Sequence, residues 1–132
     1  HGLAALPTRD ALLPMVSLLA EAVARQTRVS SLVAALPQRF THSDRLQAFA
    51  TERSRELLAR VAVEEGLQSH IAGKHNPPKA VDTTDGVRMT FADGDIVHLR
   101  ASGNAPELRC YAESATLDKA KDLCQRALSQ VP

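Results

Sequence analysis

The sequence predicts an α+β domain preceded by a helical leader, and three observations carry that prediction. Two Asp-Gly pairs, Asp85–Gly86 and Asp93–Gly94, separate short runs with strand-like alternation, as hairpin turns do. The segments before and after that block place apolar residues at helical spacing instead. The strand signals are clustered rather than interleaved with helices, which favours an antiparallel sheet with helices packed on one face.

The elements follow in order. LPTRDALLPMVSLLAEAVAR reads as a helix, with Thr8 as its cap and Asp10 near its positive end. Leu12, Met15, Val16, Leu19, Ala20 and Val23 form one broad apolar face, and Pro14 falls early, where it costs a hydrogen bond or kinks the start. VSSLVAAL follows as a shorter helix, capped by Ser30 or Ser31 and stopped by Pro37. RFTHSDRLQAF looks extended, with Phe40, His42 and Asp44 alternating against Thr41, Ser43 and Arg45. Thr51 or Ser54 starts an amphipathic helix carrying Leu57, Leu58, Val61 and Ala62, with Gly66 suited to its end. Residues 68–79 read as loop, because Pro77–Pro78 forbids helix there. KAVDTTD, GVRMTFA, DIVHLRA and ELRCYAES are strand-like, and Thr116 caps a last helix ending near Gln130. Residues 1–38 are thus expected to be a leader whose apolar faces need covering. Residues 39–132 form the domain, with an antiparallel four-stranded sheet.

Composition narrows the function. Sixteen basic against fifteen acidic residues leave a net charge of +1, so nothing steers the whole chain toward nucleic acid or an anionic membrane. Aromatic residues make up 3%, too few to build stacking platforms for single strands. No apolar run is long enough to span a bilayer. Cys110 and Cys124 have neither disulfide-scaffold numbers nor metal spacing, which points to reduced thiols in a cytoplasmic protein.

Any anion preference is therefore local, and LRASGNAPELRCYAE is where to look. Arg100 ends a strand, and the chain then turns through Ser102, Gly103 and Asn104 before Arg109. Successive turn amides form nests for anions, Gly103 admits close approach of a ligand, and Ser102 and Asn104 add side-chain donors. Arg100 offers a planar fork matched to phosphate or carboxylate, and Arg109 is placed to complete the cage. Each charge-assisted hydrogen bond there is worth ~1.5–3 kcal/mol. On these residues alone, the plainer reading comes first: a connecting turn with two solvated arginines.

The longer string weights the choice. Asp85-Gly86, then Arg100-Ala101-Ser102-Gly103-Asn104-Ala105-Pro106, then Arg109-Cys110-Tyr111-Ala112-Glu113 resembles the final domain of the α-D-phosphohexomutase superfamily, whose members include phosphomannomutase and phosphoglucomutase. The family pattern is Asp-Gly, a strand ending Arg-Pro-Ser-Gly-Thr-Glu-Pro, then Arg-x-Tyr-x-Glu. Upstream, PTRDALLPM and LPQRFTHSDRL resemble the end of the family's third domain and the hinge into its fourth. The resemblance implies a fourth domain of the TATA-box-binding-protein-like type, with a hinge near Pro37 to Thr41. It also implies that Arg100, Ser102, Gly103, Asn104 and Arg109 contact the phosphate that is not being transferred. Ala101, Asn104 and Ala105 depart from Pro, Thr and Glu of the pattern, and only Ala105 loses a polar group.

In the family, a phosphoserine, a Mg²⁺ held by an Asp-rich loop and a sugar-reading loop lie in the earlier domains. This chain has none of those motifs, so no catalytic residue and no metal ligand is assigned to it. Mg²⁺ belongs to the full-length enzyme only. The expected partners are a hexose phosphate and the enzyme's own N-terminal domains, with no nucleic acid and no membrane. The alternative is a free-standing α+β protein-interaction module without a ligand.

Other residues read more simply. His42, His70, His75 and His98 lack acidic or Cys partners at ligand spacing, and His98 reads as a surface or edge residue. Cys110 has no base nearby in sequence and reads as a structural thiol. Arg53, Arg55 and Arg60 alternate with Glu52, Glu56 and Glu64 on a solvated helix face. Asp82, Asp85, Asp93 and Asp95 suit the turns themselves.

Overall fold

The computed structural model describes residues 11–132. They form α1 (Leu12–Ala24), α2 (Val29–Ala34), β1 (Phe40–Leu46), α3 (Thr51–Val61), α4 (Glu65–Ala72), β2 (Ala80–Asp82), β3 (Val87–Thr90), β4 (Ile96–Ala101), β5 (Leu108–Ser114) and α5 (Leu117–Ser129). The chain divides into two compact units, one ending at Gln38 and the other beginning at Arg39.

In the first unit the expected helices are present. Pro14 is the third residue of α1, within the first turn, where its missing N–H group has no intrahelical partner to lose. Leu12, Met15, Val16, Leu19 and Val23 are each more than half exposed, and Ala22 alone is buried in α1. The residue before α2 is Arg28, in extended conformation and without a side-chain cap, so the expected Ser30 or Ser31 cap is not used. The Thr8 cap lies outside the described residues.

The second unit is the α+β domain. Its sheet has five strands rather than four, in the order β1-β5-β4-β3-β2, and every neighbouring pair is antiparallel. The Asp-Gly pairs make the two hairpins. Gly86 and Gly94 have φ of 81° and 84°, and Asp93 Oδ1 accepts the Asp95 N–H at 3.1 Å. Alternation then sorts the faces. Val87, Met89, Val97, Leu99, Leu108, Cys110, Ala112 and Ser114 point to one side and are buried. On that side α5 packs on β1 and β5, α3 packs on β4, and α4 joins α3 to α5. Val61, Ile71 and Cys124 complete a core with essentially no solvent access.

Two further expectations are corrected. Residues 68–79 are not all loop: α4 occupies 65–72, and Gly66 sits inside its first turn. The helix-ending glycine is Gly73, in the left-handed conformation at φ 60°. The two helices are stitched by Gln68, whose buried Nε2 donates to the Val61 carbonyl at 2.7 Å and so satisfies the end of α3. α3 starts at Thr51 as expected, with Ala50 in the cap position, and Ser54 is buried among the helices. Of the two readings of His98, surface or edge, the first holds: it is partly exposed on β4, in the middle of the sheet.

Thr116 caps α5 as expected, accepting the Lys119 N–H at 3.3 Å. Arg60 and Glu64 make the expected helix-spaced ion pair at 2.8 Å. Arg53 instead lies 4.8 Å from the centre of the Phe49 ring and donates to the carbonyl of Pro132. Cys110 and Cys124 are free and buried. Hydrogen bonding with Cys124, then burial, pushes the Cys110 thiol up, so it is inert as a nucleophile at neutral pH.

Candidate anion-binding site

The helices cover one face of the sheet, and the polar residues of alternating register fill the other. At one end of this open face, Arg45, Arg109 and Arg100 are paired residue to residue across β1, β5 and β4. The loop between β4 and β5 begins two residues past Arg100, the last member of that row. Strand alternation puts all three guanidinium groups on the same side. Like charges directly opposed across strands are destabilising, so the row needs compensating anions.

The protein supplies two carboxylates. Arg100 Nε is 3.2 Å from Asp85 Oδ1, at the β2–β3 turn. Glu107 offers one oxygen to each of the others: Arg45 Nε at 3.3 Å and Arg109 Nη2 at 3.5 Å. These separations exceed the ~2.7–2.9 Å of strong charge-assisted bonds, so the guanidinium groups retain donors for another anion.

Residues 102–107 are braced from within. The Ser102 N–H donates to the Glu107 carbonyl at 2.9 Å, and the Glu107 N–H donates to the Ala105 carbonyl at 2.8 Å. Asn104 N–H points to Ser102 Oγ at 3.4 Å. Pro106 accepts the Phe49 N–H at 2.8 Å, tying the loop to the turn after β1. The Ser102 amide is therefore spent on the loop. Among the described residues, the amides of Gly103 and Ala105 have no hydrogen-bond partner. Ser102 is buried, whereas Gly103 and Asn104 are exposed. A Cβ at Gly103 would meet nothing within 4 Å, and its φ is outside the left-handed region. Neither packing nor the turn requires glycine there.

All five residues picked out in the sequence, Arg100, Ser102, Gly103, Asn104 and Arg109, thus lie on or beside one loop at one end of the sheet. Arg45 was missed. Its signal was the alternation of β1, but its place beside Arg109 depends on a pairing between segments over sixty positions apart. Also missed was a groove of about 570 Å³ farther along the open face, lined by Ser43, Arg88, His98, Tyr111 and Glu113 among others. There the His98 and Tyr111 rings are 5.7 Å apart, and His98 Nε2 lies 2.5 Å from the Asp85 carbonyl.

Among the described residues no group of three or more His, Cys, Asp or Glu side chains is placed to hold a metal ion. Among the same residues no helix is long and apolar enough to cross a membrane.

A sheet with one helical face and a cationic loop at one end of its open face defines a domain class, and comparison identifies it. Residues 51–130 match the family "Phosphoglucomutase/phosphomannomutase, C-terminal domain". The chain belongs to that family. It is 44% identical over 131 residues to a protein named phosphomannomutase from Salmonella muenchen, covering 98% of this chain and 27% of that protein. A phosphomannomutase from Sinorhizobium fredii (strain NBRC 101917 / NGR234) is 39% identical over 128 residues, covering 97% of this chain and again 27% of the relative. The chain therefore spans about a quarter of the length of these relatives.

Proposed function

We propose that this chain is the phosphate-gripping C-terminal domain of a phosphohexomutase that interconverts hexose 1-phosphate and hexose 6-phosphate through a bisphosphorylated intermediate. Arg100 supplies a fork to the phosphate that is not being transferred. Ser102 and Asn104 add side-chain donors, Gly103 lets its backbone approach, and Arg109 stands behind the loop. The observation that carries the reading is the register of Arg100 with Arg109 next to a loop whose Gly103 and Ala105 amides have no partner among the described residues.

The chain's contribution is binding and positioning. Energy from gripping a non-reacting phosphate holds the sugar for transfer at its other end, and closure of the domain over the substrate excludes water. Transfer itself, with its phosphoserine and Mg²⁺, belongs to other parts of the enzyme, and the 132-residue chain alone is inactive. The exposed apolar face of α1 fits burial against a preceding domain, with residues 1–38 as the end of that domain and residues 39–132 as the mobile unit. Two free, buried thiols accord with the reducing cytoplasm.

The test is Arg100→Ala in the full-length enzyme. A fall of about 10- to 100-fold in kcat/KM for mannose 6-phosphate or glucose 1-phosphate is expected, from the loss of one or two charge-assisted bonds. Unchanged kcat/KM would return the loop to a plain turn and the domain to an interaction module.

A further inference from the structure

We propose that Arg45 is a third guanidinium of the anion seat, and that Glu107 is the resident counter-charge that a phosphate monoester displaces from Arg45 and Arg109. The proposal rests on the reading of the loop as a phosphate grip and extends it to two residues outside the loop motif.

Position is the first ground. Arg45 is the Cα partner of Arg109, which is in turn the partner of Arg100, so the charge of the loop continues to the β1 edge of the sheet. Leaving three like charges in a row costs stability, so a fold without a use for them has reason to replace one. The second ground is the way Glu107 is shared. One oxygen faces each arginine, at 3.3 and 3.5 Å, as two oxygens of a phosphate would. The Glu107 side chain is 14% exposed, while those of Arg45 and Arg109 are 52% and 39% exposed. The carboxylate thus sits low, and the guanidinium groups keep donors toward solvent.

A third ground is a recess of about 270 Å³ lined by Ser43, Asp44, Arg45, Arg109 and Tyr111. The carboxylate of Asp44 on its rim accepts the Arg45 main-chain N–H at 2.8 Å. Glu107 also links this recess to the loop, because its own carbonyl holds the Ser102 amide. A dianion arriving at the loop therefore competes with Glu107 for Arg109 first and Arg45 next.

The test follows backbone amide shifts of the full chain during titration with inorganic phosphate at low salt, for the parent protein and for Arg45→Gln, Glu107→Gln and Arg100→Ala. Arg45→Gln should weaken phosphate binding by about three- to tenfold, and Glu107→Gln should tighten it by a similar factor because the internal competitor is gone. The double change should lose most of that gain, and Arg45→Lys should restore part of what Arg45→Gln removes. If Arg100→Ala weakens binding while Arg45→Gln and Glu107→Gln leave it unchanged, the loop grip stands and this inference is wrong. If Arg100→Ala has no effect either, the loop reading and the inference fall together. Should Glu107→Gln unfold, the Arg45→Gln and Arg45→Lys pair decides alone.

Discussion

Arg100 and Arg109 face each other directly across β4 and β5, and each is held by a different carboxylate, Asp85 at 3.2 Å and Glu107 at 3.5 Å. Both arginines are partly exposed, so these ion pairs offset repulsion more than they stabilise the fold. Replacing Arg109 by Gln should change stability by only a few tenths of a kcal/mol, since one like-charge contact and one weak ion pair vanish together. In the full-length enzyme the same change should lower kcat/KM by about tenfold. Urea unfolding and steady-state kinetics check the two halves. A large stability loss with normal kinetics would make Arg109 a structural residue.

Gly86 should not tolerate a side chain. Its φ is 81°, and a Cβ there would collide with the Leu99 carbonyl on the neighbouring strand. Gly86→Ala is expected to cost at least ~1–2 kcal/mol from conformation alone, and more from the clash. Thermal unfolding measures it, and an unchanged Tm would mean the hairpin relaxes freely.

Ser54 marks a place where the sequence is not optimal. Its hydroxyl is fully buried on α3 and has no hydrogen-bond partner among the described residues. Ser54→Ala removes an unsatisfied group and improves helix propensity, so it should stabilise by about 1 kcal/mol. A destabilised variant in urea titration would show that the hydroxyl is satisfied in solution.

Lys74 ties the loop after α4 to the second hairpin, donating to Asp93 and Asp95 at 2.6 Å each, while Ser114 donates to Asp95 at 2.6 Å from β5. The Lys74 bond holds the Asp93 carboxyl below its ordinary 3.8. That contribution is complete above pH ~4 and is lost as pH falls through the lowered value. Burial pulls the Lys74 ammonium down, but the bonds to Asp93 and Asp95 outweigh it and the net direction is up from 10.5. That contribution is complete below pH ~10 and is lost as pH rises through the raised value. Lys74→Met should therefore lower the urea midpoint between about pH 4 and 10 and flatten both limbs of its pH dependence. An identical profile would mean the cluster contributes nothing.

What the sequence determined is local. Asp85–Gly86 and Asp93–Gly94 made their turns because glycine alone takes positive φ freely, and Thr116 capped its helix by bonding three residues on. Period-two alternation was enough to sort buried Val97 and Leu99 from half-exposed His98 and Arg100, and the loop residues were legible because a turn keeps its members together. What tertiary structure decided was not local. Residues 65–72 became helix despite the prolines downstream, because Ile71 and Ala72 are buried in the core and Gln68 satisfies the end of α3. Arg45 joined Arg109 only when β1 paired with β5, and no spacing along the chain encodes which strands become neighbours. Register across a sheet is set by hydrophobic burial of the whole face, so the arginine row is a property of the fold and not of any one segment.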